Sequence, residues 1–247
     1  MLVIGLIGGT GWPATRDYYE LINRLTQERL GGLHGADLRL WSFDFQKLMD
    51  VVEQPGAVDA YFSEAAVSLN KSGAQLLAVA SNTGHLFLSS IEQAGLPLVH
   101  IGHACAQALA ACKVKRVGIL ATRRACTGGV FNTHFQSAGI EVCYLDPACA
   151  ELLDQAIFNE LQHGKPGPLT RQAFLQASKA FLQQGIEDIL LGCTELRLAL
   201  LPPELLGHYV EGQPGLHPSL HYWDSTDIHC NAIVGMALSS AAPRLSR

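Results

Sequence analysis

Short apolar runs that end in glycine or a polar turn alternate with stretches of helical period along most of the chain. Strands that alternate with helices through short turns build βαβ units and hence a parallel sheet. The sequence therefore predicts an α/β fold. The predicted strands are residues 3–7, 38–43, 76–80, 98–101, 117–122, 141–145 and 186–191, and the predicted helices are residues 17–30, 57–72, 86–94, 104–112, 131–137, 151–162, 171–184 and 227–238.

The pattern of the first half restarts near residue 117, which indicates two pseudo-symmetric lobes, each a parallel sheet flanked by helices. We place the first lobe at residues 1–103 plus the returning helix in 224–247, and the second at residues 104–223. Ligands of open α/β sheets bind at the carboxyl ends of the strands. We therefore expect the active site in a cleft between the lobes, with Ser81 and Cys193 facing each other.

Composition narrows the range of partners. The 247 residues are 48% hydrophobic and 16% charged, with a net charge of −5 and no long block of like charge. This balance argues against a nucleic-acid or acidic-membrane partner. The expectation of a small-molecule substrate comes instead from the motifs. The seven scattered cysteines form no CxxC pair, which is typical of reduced thiols in the cytoplasm. The apolar N-terminus is short and runs into glycines, so it predicts a first strand and not a signal peptide.

The segment Gly192-Cys193-Thr194-Glu195 follows an apolar strand and precedes a helical pattern that begins at Leu196. A helix N-terminus favours the thiolate of a cysteine placed there. Cysteine is also a common small buried residue, so an inert Cys193 is an equal alternative on this stretch alone. If Cys193 is reactive, Glu195 is a candidate supporting residue, although a nearby carboxylate would also raise the pKa of the thiol.

Ser81 occupies in the first half the place that Cys193 occupies in the second. Removing a proton from an α-carbon and returning it to the opposite face requires one acid/base group on each face. Cys193 and Ser81 are the predicted pair, with the hydroxyl much the weaker base unless it is activated. His85 is a candidate for that activation. The alternative for Ser81 is a helix cap, and for His85 a structural role.

Several residues at strand ends are candidates for holding substrate carboxylates. Side chains and N–H groups at helix starts bind anions, and the alternative for each is capping alone. Lys165 and Arg171 flank a glycine-proline loop and are candidates for a second carboxylate, with a solvated charge as the alternative. The candidates at strand ends are Gly9, Thr10, Asn82, Thr83 and Thr194.

Neither a cofactor nor a metal ion is expected. Gly9-x-Gly11-x-x-Ala14 loosely fits a dinucleotide fingerprint with Asp44 as the ribose-binding acid, but Pro13 interrupts it and an ordinary turn is favoured. The histidines near the C-terminus lack zinc-site spacing. They are His208, His217, His221 and His229.

Taken together, these motifs resemble the aspartate/glutamate racemase family, which does not use pyridoxal phosphate. The pairing of Asn-Thr-x-His in one half with Gly-Cys-Thr-Glu in the other is the specific part of the resemblance. It covers nearly the whole chain. The matching segments are Ile4–Gly9, Tyr18-Tyr19, Ile22-Asn23, Leu30–His34, Ser42-x-Asp44-Phe45, Asn82-Thr83-x-His85, Gly192–Glu195 and Asp224-x-x-x-Ile228-His229.

The resemblance implies a cofactor-independent racemase, often a homodimer, in which two thiols act on opposite faces of the α-carbon of aspartate or glutamate. It also implies substrate contacts at Thr122. This chain departs from the family pattern in having Ser81 where the first cysteine is expected, and Ala125 where a threonine is expected. Residues 206–221 contain several glycines and prolines and are predicted to form a loop, which residues 222–227 close. This segment is also longer than usual in the family.

The single thiol leaves two alternatives open. One is an arylmalonate-type decarboxylase, which keeps only the second-lobe cysteine to deliver one proton. The other is an inactive protein that binds an amino acid or a dicarboxylate. A dehydrogenase would require nicotinamide binding, which is not expected.

Overall fold

The structure is a computed structural model and describes residues 1–200 and 217–239. The chain divides into two compact units. Unit 1 consists of Met1–Ala104 together with the segment that begins at Thr226, and unit 2 consists of Cys105–Ser225.

Unit 1 contains a three-stranded parallel sheet in the order β2-β1-β3. Its strands are β1 (Ile4–Gly8), β2 (Leu38–Ser42) and β3 (Leu76–Val79). Its helices are α1 (Trp12–Leu30), α2 (Phe45–Asp50), α3 (Ala57–Lys71), α4 (Leu88–Glu92), the start of α5 (Ile101–Ala111) and α11 (Ser225–Ser239), with a 3₁₀ turn at Thr83–Phe87.

Both faces of the unit 1 sheet are covered, and every residue of β1 is buried. Ile4 and Leu6 face a core that includes Tyr18 of α1 and Ile233 of α11. Ile7 faces the opposite core, where Phe62 of α3 packs. A strand buried on both faces must be apolar throughout, which explains the uninterrupted apolar run at the start of the chain.

Unit 2 contains a four-stranded parallel sheet in the order β5-β4-β6-β7. Its strands are β4 (Arg116–Leu120), β5 (Glu141–Cys143), β6 (Asp188–Leu191) and β7 (His221–Asp224). Its helices are α6 (Arg123–Thr127), α7 (Asn132–Ser137), α8 (Pro147–Asn159), α9 (Pro168–Gln183) and α10 (Arg197–Leu200), with 3₁₀ turns at Leu161–His163 and Thr194–Leu196.

Helices α8 and α9 pack on the face of the unit 2 sheet that carries Leu120 and Leu191. A Cβ at Gly118 would lie 2.8 Å from the Phe181 ring, so glycine lets α9 approach the middle of β4. The strand orders of the two units correspond, with β1 equivalent to β4, β2 to β5 and β3 to β6. The predicted fold class, two α/β lobes each with a parallel sheet flanked by helices, is confirmed.

Two predicted elements are wrong. Residues 98–101 form only a single parallel bridge, Leu98 to Leu77, because helix α5 already begins at Ile101. His100 Nδ1 accepts the backbone N–H of Gly102 and thereby caps that helix. Conversely, His221–Asp224 was predicted as the end of a loop and is strand β7, paired with β6. Most of the predicted loop 206–221 and His208 lie outside the described residues.

No helix among residues 1–200 and 217–239 is long and apolar enough to cross a membrane. All seven cysteines are free thiols.

Candidate functional site

The Cys193 group, defined as Cys193, Thr194 and Glu195, lies directly after β6 and is buried. The Cys193 thiol donates a hydrogen bond to Glu195 Oε2 over 3.1 Å, and the Thr194 hydroxyl donates to the same oxygen over 2.8 Å. One carboxylate oxygen therefore accepts both hydrogen bonds. This contact places Glu195 where it could act as the supporting residue that the sequence suggests.

The predicted stabilisation of the thiolate is wrong. Burial raises the pKa of the Cys193 thiol well above its usual range, and the Glu195 carboxylate raises it further. The turn that follows, Thr194–Leu196, is a 3₁₀ turn of three residues, too short to supply a strong helix dipole. In its resting state Cys193 is a protonated acid next to a base.

A buried ion pair lies four residues further along the chain. Arg197 is 2% exposed, and its Nε lies 3.4 Å from Asp224 Oδ2 at the end of β7. A buried charge requires a partner, so this pair fixes the end of β7 to the turn that follows Cys193. Arg197 is not among the residues predicted from the sequence. The available signal was a lone cation inside an apolar helical pattern.

Three other candidates lie in unit 2. The Thr122 hydroxyl accepts the Ala125 backbone N–H over 3.3 Å and caps α6, while the Ala125 side chain is fully buried. Lys165 is exposed, and its loop begins at the 3₁₀ turn Leu161–His163, which packs beside the turn Thr194–Leu196. Lys165 makes no ion pair with any residue that the structure describes. The exposed Arg171 lies in the first turn of α9.

The Ser81 group, defined as Ser81, Asn82, Thr83 and His85, follows β3 in unit 1. Ser81 Oγ accepts the Gly84 backbone N–H over 3.2 Å, which is the capping role left open by the sequence. Asn82 is buried and Thr83 half-buried at the start of the 3₁₀ turn.

The predicted activation of the Ser81 hydroxyl by His85 is wrong. His85 Nδ1 bonds the Ser81 backbone carbonyl oxygen over 2.8 Å, and its Nε2 accepts the Ile101 backbone N–H over 3.2 Å. Burial lowers the pKa of His85 to about 3. Both ring nitrogens are engaged by the backbone, so neither takes a proton from the hydroxyl.

The glycine turn after β1 shows which of its groups remain available to a ligand. The Gly9 N–H donates to Thr15 Oγ1 over 2.8 Å and is therefore already used. Gly9 has a φ of +86°, and a Cβ there would lie 2.1 Å from the Phe43 nitrogen. Packing against the chain after β2 thus explains this glycine without a nucleotide. Thr10 Oγ1 is buried and has no hydrogen-bond partner among the described residues.

Comparison with known proteins decides the family. The sequence profile of Asp/Glu/Hydantoin racemases matches residues 7–233. The chain belongs to this family. It is an amino-acid racemase, an isomerase, and the family resemblance read from its motifs is confirmed.

Relatives of the racemase are found among curated proteins and solved structures. The broad specificity amino-acid racemase RacX of Bacillus subtilis is 23% identical over 211 residues, covering 80% of this chain and 87% of RacX. A proposed Asp/Glu racemase from Yersinia pestis is 33% identical with a TM-score of 0.81, covering 96% and 100% of the two chains. An aspartate racemase homologue from Pyrococcus horikoshii is 27% identical with a TM-score of 0.76 over the same shares.

A cavity of about 320 Å³ lies in unit 2 of the racemase, at the carboxyl ends of β4 and β5. None of the predicted site residues lines it. Burial raises the pKa of Cys126 and that of Tyr144 to about 12, so both are neutral in its wall. Its lining includes Ile119, Ala121, Cys126, Tyr144, Leu145 and Ala150.

Within the described part of the racemase, no group of three or more His, Cys, Asp or Glu side chains is placed to hold a metal ion. His217 and His221 lie near β7, His221 with its Nδ1 3.7 Å from Asp188 Oδ1. His229 belongs instead to the core of unit 1. Asp44 is exposed and precedes α2, with its Oδ2 3.8 Å from Lys47 Nζ.

Proposed function

We propose that this racemase interconverts the enantiomers of an acidic amino acid, aspartate or glutamate, without a cofactor. Cys193 transfers the α-proton on one face of the substrate and Ser81 on the other. The observation that carries the proposal is the hydrogen bond from the buried Cys193 thiol to Glu195 Oε2. A thiol next to a carboxylate can give its proton to a carbanion, and can pass it to the carboxylate when the thiolate must act as base.

The assignment of Ser81 is supported by its place in the chain. It follows β3 as Cys193 follows β6, and these strands are equivalent in the two sheets. Its oxygen accepts the Gly84 N–H, which lowers the energy of an alkoxide but supplies no base. Ser81 is therefore the slower member of the pair.

A slow member limits both directions of the reaction. The two enantiomers of an amino acid have equal free energy, so catalytic efficiency is the same in both directions. Proton exchange with solvent has no such restriction. Cys193 can exchange the α-proton of one enantiomer faster than the enzyme inverts it.

Recognition of an acidic side chain is supported by Lys165. This cation lies on a loop that begins beside the turn after Cys193, and no described carboxylate pairs with it. Thr10, whose buried hydroxyl has no partner among residues 1–200 and 217–239, is a second donor for a carboxylate. We also propose that the racemase is a homodimer, as the family resemblance implies.

The test is chiral chromatography after incubation of the purified protein with each enantiomer of aspartate and glutamate, and with neutral amino acids as comparison. We expect slow interconversion of the acidic pair, loss of it in Cys193→Ala, and a higher rate in Ser81→Cys, which restores a second thiol. Interconversion that persists in Cys193→Ala contradicts the proposal.

A one-thiol decarboxylase is the second candidate, because a protonated Cys193 is suited to delivering a single proton. Incubation with an arylmalonate distinguishes the two. Release of carbon dioxide without interconversion of any amino acid favours the decarboxylase. Ligand-induced stabilisation without either reaction indicates a binding protein.

A further inference from the structure

Unit 1 contains a cluster of four aromatic polar side chains, one of which bonds the Ser81 backbone. We call Tyr18, His85, His100 and His229 the histidine cluster. The His85 ring centroid lies 4.9 Å from that of His100 and 5.4 Å from that of His229, which lies 5.6 Å from the Tyr18 ring. Tyr18 and His229 are fully buried, and His85 is 4% exposed.

The hydrogen bonds of His85 define its tautomer. The Ser81 carbonyl can only accept and the Ile101 N–H can only donate. His85 therefore carries its proton on Nδ1, which donates to Ser81, and accepts at Nε2 from Ile101. A second proton on Nε2 would point at the Ile101 N–H. The His85 ring joins the Ser81 carbonyl to the Ile101 N–H at the start of α5, and it can do so only when the ring is neutral.

His229 has the opposite tautomer. Its Nε2 lies 2.9 Å from the Val99 carbonyl oxygen, so that nitrogen carries the proton and donates. Its Nδ1, 2.8 Å from Tyr18 Oη, accepts the phenol proton. His229 of α11 thus holds Val99, two residues before the Ile101 N–H that orients His85. Val99 is also bonded to Leu77 of β3, through its N–H.

We propose that His85 is the positioning residue for Ser81, and that Tyr18 and His229 fix the chain segment against which His85 is held. The role is positional because His85 bonds the Ser81 backbone and not its hydroxyl. The placement of the Ser81 hydroxyl then depends on a neutral ring whose two nitrogens are both bonded to backbone. This proposal rests on the proposed function of Ser81 in proton transfer.

The charge state of the cluster supports this role. Burial, together with the neighbouring His229, lowers the pKa of His85 to about 3. Burial also lowers the pKa of His229 to about 4, and His100 contributes in the same direction. His85 and His229 therefore stay neutral at ordinary pH, and each keeps its own tautomer.

The test compares three substitutions of His85. An asparagine amide reproduces the Nδ1 donor to Ser81, a glutamine amide reproduces the Nε2 side of the ring, and leucine reproduces neither. The readout is α-proton exchange in heavy water. The exchange that remains in Cys193→Ala is the Ser81-dependent exchange, and the exchange that remains in Ser81→Ala is the Cys193-dependent exchange. The exposed His34→Leu is the control.

We expect His85→Leu and His85→Gln to lower the Ser81-dependent exchange by about 10²-fold, as for a misplaced catalytic group. His85→Asn should retain most of it, and the Cys193-dependent exchange should stay within about twofold of the unsubstituted protein, because a role confined to Ser81 leaves the other group in place. A purely structural role of His85 would lower both exchanges together. Equal losses in His85→Asn and His85→Leu, or no change in the ratio of the two exchanges, would overturn the proposal.

A readout that needs no activity separates this proposal from the proposed function. The Gly84 N–H donates to Ser81 Oγ, so its hydrogen-exchange protection reports where the Ser81 hydroxyl lies. Protection should be lost in His85→Leu and kept in His85→Asn. If the unsubstituted protein exchanges neither enantiomer, the proposed function fails and this protection alone decides the positioning role. Unchanged Gly84 protection in His85→Leu refutes the role of His85.

Discussion

The Cys193 thiol lies 3.1 Å from Glu195 Oε2 and donates a hydrogen bond to it. Both residues are buried, so little solvent competes for this bond. The carboxylate opposes ionisation of the thiol through its charge and offers a place for the thiol proton. Glu195 therefore favours the protonated thiol, which is a poor nucleophile, and in the proposed reaction it is the group that would accept the thiol proton.

Replacing Glu195 with glutamine separates these two effects. Glu195→Gln removes the negative charge, so the pKa of Cys193 falls and alkylation of Cys193 at fixed pH speeds up by about tenfold for each unit of that fall. Racemisation slows because the thiol loses its proton acceptor. Mass spectrometry of the Cys193 peptide measures the first effect, and the exposed Glu187→Gln is the control. Slower alkylation in Glu195→Gln contradicts this account.

The two buried histidines predict an acid limit to stability. The pKa values of His85 and His229 are about 3 and about 4 in the folded protein, below the ordinary value of 6.5. The unfolded chain therefore binds more protons, and stability that is complete above pH 6.5 is lost as pH falls towards these values, by about 1.4 kcal/mol per pH unit for each histidine. Urea unfolding at several pH values tests this. A His85→Asn/His229→Gln variant should show a shallower pH dependence, and an unchanged slope counts against it.

The hydrogen bonds of the Glu160 carboxylate are expected to make a second, local contribution to stability. Its carboxylate accepts the backbone N–H groups of Gly167, Leu169 and Thr170 and the Thr170 hydroxyl, and so caps α9. Desolvation raises the pKa of Glu160, but the hydrogen bonds from Thr170 and its neighbours lower it overall. The contribution is present above the unfolded pKa and is lost as pH falls through the folded one.

We expect Glu160→Gln to lower the free energy of unfolding by about 1–2 kcal/mol at neutral pH, since an amide nitrogen cannot accept these bonds. Thermal unfolding measures the loss, with the exposed Glu92→Gln as the control. Equal stability of the two variants would show that the cap contributes nothing.

The proposed role of Lys165 predicts a preference for acidic over neutral amino acids. Lys165→Met removes the charge but keeps an unbranched apolar side chain, so KM for aspartate and glutamate should rise by about tenfold or more, the equivalent of a lost charged hydrogen bond. KM for a neutral amino acid should stay unchanged, and the exposed Arg171→Met provides the comparison. A similar rise for acidic and neutral substrates would contradict a role in side-chain recognition.

Much of the fold could be predicted because the signal was local. The buried strands β1 and β6 are apolar throughout and end at glycines, and the restart near residue 117 revealed the second unit. The segment 98–101 has the composition of a strand, but His100 caps a helix there, and that depends on hydrogen bonds which composition does not encode.

The site was predicted less completely. The candidate positions Ser81 and Cys193 follow from the ends of β3 and β6, but their protonation states do not. The pKa of Cys193 depends on burial and on the orientation of Glu195. The engagement of both His85 nitrogens depends on Ile101, sixteen residues away. The role of His229 requires α11 to pack against the first helix of the chain.

The most direct test of the central claim is deuterium incorporation at the α-carbon of aspartate and glutamate in heavy water. Each enantiomer is incubated separately with the unsubstituted protein, with Cys193→Ala and with Ser81→Ala. The account predicts that one enantiomer exchanges faster than it is inverted. That exchange is lost in Cys193→Ala and kept in Ser81→Ala. Equal exchange of both enantiomers, or survival of the fast exchange unchanged in Cys193→Ala, would contradict it.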